Sequence, residues 1–310
     1  MKSVLKRLGV ASSLLVVILA VAACGGDSQE SAAAQGGGSE MPDPLVLGLI
    51  PAESNQEVLR DYEPLVEYLS RELGVEVEPY TATDYSGIIE AMRSGEVDVA
   101  WFGPLSYVLA EEVAGAEAVA VPFEEEGERP TYKSVILTRS GNQEIQAVED
   151  LSGKTFSFVD PASTSGNLYP RKMMQDAGVD PEQDLAEARF AGGHDASILA
   201  VANGTVDAGA SWDGQLQQMI EAGVIEEDAV RVVEESEPIP KDPLAVRGDL
   251  PEPIKARIQK AFVEATSETV GSENLGSEGA IGYQKTSDER YDGVRKLVDQ
   301  MGLTEDELLG

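Results

Sequence analysis

Cysteine and histidine are almost missing from this sequence, which has one of each, Cys24 and His194, in 310 residues. Since Cys24 is the only cysteine, the mature fold has no disulfide, no cysteine nucleophile and no cysteine-based metal site. The P-loop pattern GxxxxGKS/T is also missing. Phosphoryl-transfer chemistry requires such a loop, a metal cluster or an activated nucleophile. A phosphoryl-processing enzyme is therefore a disfavoured alternative, and we expect no cofactor and no metal.

Basic residues are scarce: 23 Lys and Arg stand against 56 Asp and Glu, for a net charge of −33. Such a surface repels nucleic acid and anionic lipid headgroups, so neither is expected as a partner. An anionic ligand is not attracted at long range either. Any anion site must therefore depend on local hydrogen-bond donors.

The N-terminus is typical of an exported protein. Residues 1–23 combine basic residues, an apolar run and small residues, which predicts a signal peptide. The ending VAAC resembles a bacterial lipobox, so we expect Cys24 to be lipidated; an ordinary signal with an incidental cysteine is the alternative. Residues 24–44 are rich in Gly, Ser and Ala and predict a flexible tether. The protein is thus expected to be an extracytoplasmic, membrane-anchored lipoprotein.

The folded body begins with a strand and helix pattern. Short apolar strands at 45–50, 75–80 and 97–102 alternate with helices at 55–73 and 85–94. This rhythm predicts a parallel sheet, and the ligands of such sheets bind at the carboxyl ends of the strands.

The same rhythm restarts near residue 151, and 42% hydrophobic residues are enough for two medium cores. We therefore predict an α/β protein with two lobes. Lobe 1 is predicted to comprise 45–138 plus 247–310, and lobe 2 to comprise 139–246. The chain crosses twice between them, and two crossings form a hinge.

A run of hydroxyl residues follows the strand near 155–159. After Asp160 and Pro161, the sequence Ser-Thr-Ser-Gly at 163–166 is typical of a helix N-terminus, whose free N–H groups bind oxyanions. Because glycine has no Cβ, Gly166 is expected to let a ligand approach the backbone. An ordinary N-cap in a polar loop is the alternative.

Four separated segments together resemble one family. They are TDYSGIIEAMRSGEVDVAWFGPLSYV at 83–108, DPASTSG at 160–166, AGGHDASILAVANGTVDAG at 191–209 and IPKDP at 239–243. In this order they resemble the phosphate, phosphite and phosphonate substrate-binding proteins of ABC importers. The resemblance implies a type II periplasmic-binding-protein fold, whose two lobes close on a ligand about a two-strand hinge.

The resemblance also implies a function. The chain is expected to capture a small phosphorus oxyanion (phosphite, phosphate or an alkylphosphonate), to deliver it to a membrane permease and not to be an enzyme. A subunit that signals to a membrane sensor needs only the same lobe closure, so this alternative stays open.

Carried over residue by residue, the resemblance implies that Ser163, Thr164, Ser165 and His194 donate hydrogen bonds to the oxyanion. A surface or capping role is the alternative for the histidine. The remaining residues implied are Tyr85 and Tyr132, which close over the ligand, Asp242, which meets the amino group of aminoalkylphosphonates, and Trp212 and Asp213, which form a pocket wall. Either tyrosine is alternatively a core residue, and Asp242 a turn residue.

One position departs from the aminophosphonate-binding pattern. Those members carry a glutamate near 214, where this chain has Gly214 preceded by Trp212 and Asp213. A bulky indole shrinks the pocket, and a carboxylate accepts hydrogen bonds only from a protonated oxyanion. We therefore expect a small ligand such as phosphite, hydrogen phosphate or methylphosphonate, with Asp213 repelling unprotonated sulfate.

Overall fold

The computed structural model describes residues 40–127, 129–272, 275–277 and 279–310. The predicted signal peptide at 1–23, Cys24 and most of the tether lie outside the described residues. Within the described part of the chain, no helix is long and apolar enough to cross a membrane.

Strands and helices alternate along these residues. The strands are, in chain order, β1 (Leu45–Leu49), β2 (Val77–Thr81), β3 (Val99–Trp101), β4 (Glu117–Phe123), β5 (Thr131–Tyr132), β6 (Ser134–Arg139), β7 (Thr155–Phe158), β8 (Glu187–Phe190), β9 (Ala208–Trp212), β10 (Val230–Glu235), β11 (Ile239–Pro240), β12 (Leu244–Val246) and β13 (Gly282–Lys285). The α-helices are α1 (Asn55–Leu73), α2 (Tyr85–Ser94), α3 (Pro104–Ala114), α4 (Tyr169–Asp176), α5 (His194–Ala202), α6 (Asp213–Glu221), α7 (Glu252–Val263), α8 (Ser267–Val270), α9 (Asp292–Met301) and α10 (Glu305–Leu309).

Local signals explain the first helices. In α1, Val58, Tyr62, Leu65 and Leu69 recur at helical spacing and are buried, and Gly74 ends the helix with a φ of 69°. In α2, the Asp84 carboxylate accepts a hydrogen bond from Gly87 N at 2.8 Å. Both helices begin and end where the sequence predicts.

The strands form two mixed sheets. The first sheet has the order β13-β4-β12-β3-β1-β2, and β1 pairs in parallel with β2 and β3 as expected. The second sheet has the order β10-β6-β9-β7-β8, with β7 parallel to β8 and β9. In each sheet, one strand that follows a crossing of the chain, β12 or β6, runs antiparallel beside the parallel strands.

The two crossings of the chain pair with each other, since β5 and β11 form an antiparallel ladder that joins Ile239 to Tyr132. This ladder is the two-strand hinge. The predicted lobe boundaries stay a prediction, and at each crossing one strand pairs with the sheet on the other side of its boundary. β6, assigned to lobe 1 up to residue 138, pairs in the second sheet, and β12, assigned to lobe 2, pairs in the first. An apolar strand has the same sequence pattern in either sheet, so the sequence could not assign β6 and β12 to one sheet or the other.

The cores follow the sheets. In the second sheet, Ile136 faces one apolar cluster, while Val135 and Leu137 face another, as the alternation of a strand requires. The cluster of the first sheet also includes Ala162 and Leu168, which follow β7 in the second. The segment around Ser163–Gly166, which we call the hydroxyl turn, therefore packs against the core of the first sheet.

Candidate functional site

A cavity of about 530 Å³ is lined by residues from both sheets and from the hinge ladder. Eight of the expected ligand-binding residues line it: Tyr85, Tyr132, Ser163, Thr164, Ser165, His194, Trp212 and Asp242. Most of them follow or end strands of the parallel parts of the two sheets, as expected, whereas Tyr132 and Asp242 belong to the antiparallel crossing at β5 and β11. The structure thus brings together side chains that the sequence places up to half the chain apart.

The hydroxyl turn lies at the buried side of this cavity. Ser163 Oγ accepts a hydrogen bond from Gly166 N at 3.0 Å and caps a π-helical turn, Thr164–Leu168, that continues into α4. Thr164 Oγ1 accepts a hydrogen bond from Leu105 N at 2.8 Å. A hydroxyl that accepts keeps its own hydrogen for donation. Both hydroxyls therefore accept a structural bond and keep a hydrogen to donate, and each also has a tyrosine hydroxyl within hydrogen-bond reach, Tyr85 for Ser163 and Tyr132 for Thr164.

Gly166 has a different role from the one expected. A Cβ at this position would lie 2.3 Å from the Cβ of Val159 and 2.7 Å from Ser163 Oγ. Glycine is required because the first helical turn packs tightly on the end of β7. Access of a ligand to the backbone is not the reason.

The two tyrosines lie over the hydroxyl turn. Burial raises the pKa of Tyr85 well above its usual range, with the charge of Asp160 adding to the shift and a hydrogen-bond contact to Ser163 opposing it. Burial likewise raises the pKa of Tyr132, with the charge of Asp242 adding to the shift. Both phenols therefore stay protonated at neutral pH and act as donors.

His194 is the first residue of α5 and is buried, 4% exposed, so the surface alternative is excluded. Burial lowers the pKa of its imidazole to about 3, which keeps the ring neutral at physiological pH. Its Nδ1 lies 3.1 Å from Ser211 Oγ. If the Ser211 hydroxyl donates to Nδ1, the ring carries its hydrogen on Nε2 and can donate it to an anion.

Asp242 presents an acceptor without a partner. Its Oδ2 accepts a hydrogen bond from Trp101 Nε1 at 3.4 Å, but its buried Oδ1 has no hydrogen-bond partner among the described residues. Burial raises the pKa of the carboxyl to about 6, while Lys241, Trp101 and Tyr132 act in the opposite direction. Tyr132 is near enough to lower the pKa of this carboxyl but does not form a hydrogen bond to Oδ1.

Asp213 does not line the cavity, so its expected place in the pocket wall was wrong. It is exposed, and its Oδ1 accepts hydrogen bonds from Lys133 N at 3.1 Å and from Gly214 N at 3.2 Å. Side chains at the end of a strand alternate in direction, and here Trp212 faces the cavity. Asp213 therefore faces away from the cavity and holds the backbone beside β5.

The indole of Trp212 lies against Gly214. A Cβ at Gly214 would lie 1.9 Å from Cζ3 of Trp212, because the indole covers this glycine. The ring also meets Tyr132 edge to face, with ring centroids 6.3 Å apart. A glutamate at 214 is incompatible with this indole position, so the missing carboxylate and the tryptophan go together.

Among the cavity-lining residues that sequence reasoning missed are Tyr62, Trp101 and Gln215. Tyr62 and Trp101 stack edge to face at 5.3 Å. Gln215 is 4% exposed, and its Oε1 has no hydrogen-bond partner in the described part of the chain. Trp101 lies inside one of the resembling segments, so a residue-by-residue reading of WFGP could have found it.

Cations and metals contribute little. Lys241 Nζ pairs with Glu124 at 2.8 Å and lies 5.6 Å above the Trp212 ring, so its charge is already engaged. Residues 40–127, 129–272, 275–277 and 279–310 contain no group of His, Cys, Asp and Glu arranged to hold a metal ion. The donors around the hydroxyl turn are thus neutral, and Asp242 is one of several carboxylates in the lining, with Glu53, Glu57 and Asp61.

Comparisons with known proteins point to one family. The family described as "ABC transporter, phosphonate, periplasmic substrate-binding protein" matches residues 47–291. The phosphate-import protein PhnD of Mycolicibacterium smegmatis is 35% identical, with 84% of this chain and 87% of that protein covered. The phosphonates-binding periplasmic protein of Escherichia coli is 30% identical, with 82% and 75% covered. The crystal structure of a binding protein of a phosphonate ABC transporter from Pseudomonas aeruginosa superposes with a TM-score of 0.77 at 27% identity, covering 87% and 90% of the two chains.

Proposed function

This chain belongs to the family of periplasmic substrate-binding proteins of phosphonate ABC transporters, and on that premise we propose that it captures a small phosphorus oxyanion with one protonated oxygen. Phosphite, hydrogen phosphate and methylphosphonate fit this description. Membership of the family makes the protein an extracytoplasmic binding component of an ABC importer with a type II fold, and not an enzyme. The permease is its partner.

Donors on one side of the cavity hold the anion in this proposal. The turn at 163–165 supplies hydroxyl and backbone donors at a helix N-terminus, and neutral His194 supplies another. Hydrogen bonds to charged groups contribute about 1.5–3 kcal/mol each, so five or six would contribute roughly 8–15 kcal/mol before binding costs. After those costs, micromolar to nanomolar affinity is expected without a basic residue.

The observation that carries the ligand assignment is the unpartnered Oδ1 of Asp242. A buried acceptor among donors calls for a hydrogen on the ligand. A protonated phosphorus oxyanion supplies that hydrogen, whereas sulfate at neutral pH has none and meets an uncompensated negative charge. Asp242 thus takes the filtering role expected of Asp213.

The aromatic wall favours a small ligand. Trp212 covers Gly214, and no carboxylate stands at that position to hold an ammonium group. Relatives named for phosphate import and for phosphonate binding support the same chemical class. A long aminoalkyl chain is therefore disfavoured in this proposal.

Export and anchoring remain part of the proposal. Residues 1–23 are proposed to direct export, and Cys24 to carry the lipid that anchors the tether at 24–44 to the membrane. In membrane fractions of the host, Cys24→Ser is expected to release the protein to the soluble fraction. An unchanged membrane-bound fraction would contradict lipidation.

We also propose that each sheet is the core of one lobe, with the chain crossing at β5 and β11. Closure about this ladder would enclose the anion, as expected for two-lobed binding proteins.

The test of ligand class is a melting experiment with phosphite, phosphate, methylphosphonate, 2-aminoethylphosphonate and sulfate. A ligand at 100 times its Kd stabilises by about 2.7 kcal/mol, which shifts Tm visibly. We expect shifts with small phosphorus anions and none with sulfate at pH 7.5. Equal shifts with sulfate, or none with any phosphorus anion, would refute the assignment.

One variant ties that shift to the hydroxyl turn. The Ser165 hydroxyl has no capping bond, unlike that of Ser163, so Ser165→Ala is expected to weaken binding about 10- to 100-fold with little loss of stability. The control is Thr266→Ala, which removes the cap of α8 outside the cavity. It should lower Tm without changing the ligand-induced shift.

A further inference from the structure

Asp160 lies beside the proposed ligand site but does not line the cavity. It follows β7 and is 5% exposed. Its Oδ1 accepts a hydrogen bond from Ala162 N at 2.8 Å within its own turn. Its Oδ2 accepts one from Tyr85 N at 3.3 Å, and Tyr85 begins α2 beside the first sheet. One carboxylate thus joins the turn of the second sheet to a helix of the first.

The bond is favourable because a helix N-terminus carries partial positive charge and N–H groups without partners. Within its own lobe, α2 is already capped by Asp84, whose Oδ1 accepts from Gly87 N at 2.8 Å. The Asp160 bond is therefore not needed to form α2. It exists only while the two sheets are together.

Two further helix N-termini are capped across the same interface. Leu105 N in α3 donates to Thr164 Oγ1 at 2.8 Å. In the opposite direction, His194 N in α5 donates to Ala52 O at 2.7 Å. These bonds join the sheets without passing through a ligand, so they stabilise the closed arrangement directly.

We propose that Asp160 is a closure residue: by capping α2 from the opposite lobe it holds the lobes together and places Tyr85 over the anion. It acts as a positioning residue, and its effect falls on release of ligand more than on capture, since the bond forms only on closure. This inference rests on the proposed capture of an anion between two lobes.

The charge environment of Asp160 agrees with a role specific to the closed state. Burial raises the pKa of its carboxyl to about 6, and the charge of Asp84 at the same helix end adds to the shift. The N–H groups of Ala162 and Tyr85 oppose it. Separation of the sheets would remove Asp84 and the Tyr85 N–H together.

The test compares Asp160→Asn with Asp84→Asn, which makes the same charge change at the same helix end inside one lobe. Stopped-flow binding of inorganic phosphate to the full chain gives the two rate constants. Asp160→Asn is expected to raise the dissociation rate about tenfold and to change the association rate less than twofold. Asp84→Asn should change neither by more than twofold. Equal effects of the two substitutions, or an unchanged dissociation rate in Asp160→Asn, would overturn the proposal.

A second measurement does not depend on the ligand. Hydrogen exchange at the amides of Leu105 and His194, which bond across the interface without touching Asp160 or Asp84, should be faster in Asp160→Asn and unchanged in Asp84→Asn. If phosphate fails to bind the wild type while this exchange pattern holds, the ligand assignment fails and the closure role stands. Unchanged exchange in a folded Asp160→Asn would overturn the closure role.

One more variant covers the case in which Asp160→Asn fails to fold. Asp160→Ser keeps an acceptor for Ala162 N in the local turn but is too short to reach Tyr85 N. It should reproduce the faster dissociation and faster exchange. Wild-type values for both in Asp160→Ser would count against the proposal.

Discussion

The two sides of the cavity use hydrogen bonds in opposite ways. Ser163, Thr164, Ser165 and His194, which we call the donor side, line the cavity and are proposed to donate hydrogen bonds to an anion. Asp242, the acceptor side, offers an oxygen that lacks a partner. An unprotonated oxyanion satisfies the donor side alone, whereas a protonated one satisfies both. Affinity and selectivity can therefore be assigned to different elements and altered separately.

The largest expected effect is loss of selectivity on the acceptor side. Asp242→Asn replaces the charge with an amide that can donate, so sulfate is no longer repelled and a phosphorus ligand loses its acceptor. We expect the affinity ratio of phosphate to sulfate to fall about 100-fold, measured by calorimetry at pH 7.5. A ratio within threefold of wild type would show that Asp242 is not the filter.

The raised pKa of Asp242 gives this prediction a pH signature. Its carboxyl titrates at about 6 in the folded protein against an ordinary value of 3.8. In the wild type, sulfate binding should appear as pH falls below about 6, because the neutral carboxyl can donate.

The same shift means that the stability this group contributes is present below pH 3.8 and lost as pH rises through 6. Asp242→Asn should therefore melt higher than wild type at pH 7.5, with no difference near pH 4.

A smaller effect is expected from the donor side. His194→Ala removes one donor and should weaken phosphate binding about tenfold, while His194→Gln, which keeps an N–H, should recover part of the loss. Because burial holds the pKa of His194 at about 3, the loss should be the same from pH 5 to pH 8 once the ionisation of phosphate is accounted for. A loss confined to pH below 6 would indicate a charged imidazole instead.

The smallest effect is expected at Asp213. Asp213→Asn keeps an oxygen for Lys133 N and lies outside the cavity lining, so phosphate and sulfate affinities should stay within twofold of wild type. This variant is the matched control for Asp242→Asn in the same calorimetric series. Relaxed sulfate rejection in Asp213→Asn would restore the role that its sequence position suggested.

Much of the fold was predictable where the signals are local. The bounds of α1 and α2 follow from apolar spacing, Gly74 and Asp84, all within a few residues of the helix ends. β4 and β13 were not predicted, and their strongest signal is pairing with each other across more than 150 residues. β13 has no short-range pattern of a strand, whereas the apolar run of β4 could have indicated one.

For the site as well, features with a local signal were predictable and features that depend on distant residues were not. The hydroxyl turn and His194 were expected in the cavity and line it. They were predictable because the start of a helix has a local signal in the sequence. Gly166 was predicted as special for the wrong reason, since only the structure shows Val159 against it. Gln215 carries no motif, and its burial is visible only in three dimensions.

Local signals in the chain predict the alternating strands and helices, the hydroxyl turn at 163–166 and the family resemblance, because caps, glycines and apolar spacing act over a few residues. Which of the two carboxylates, Asp213 or Asp242, faces the cavity depends on long-range contacts. Asp213 bonds to a backbone N–H 80 residues away, and Asp242 to an indole 141 residues away. Their directions depend on how the strands pair and where the chain crosses between sheets, and no short segment encodes that arrangement.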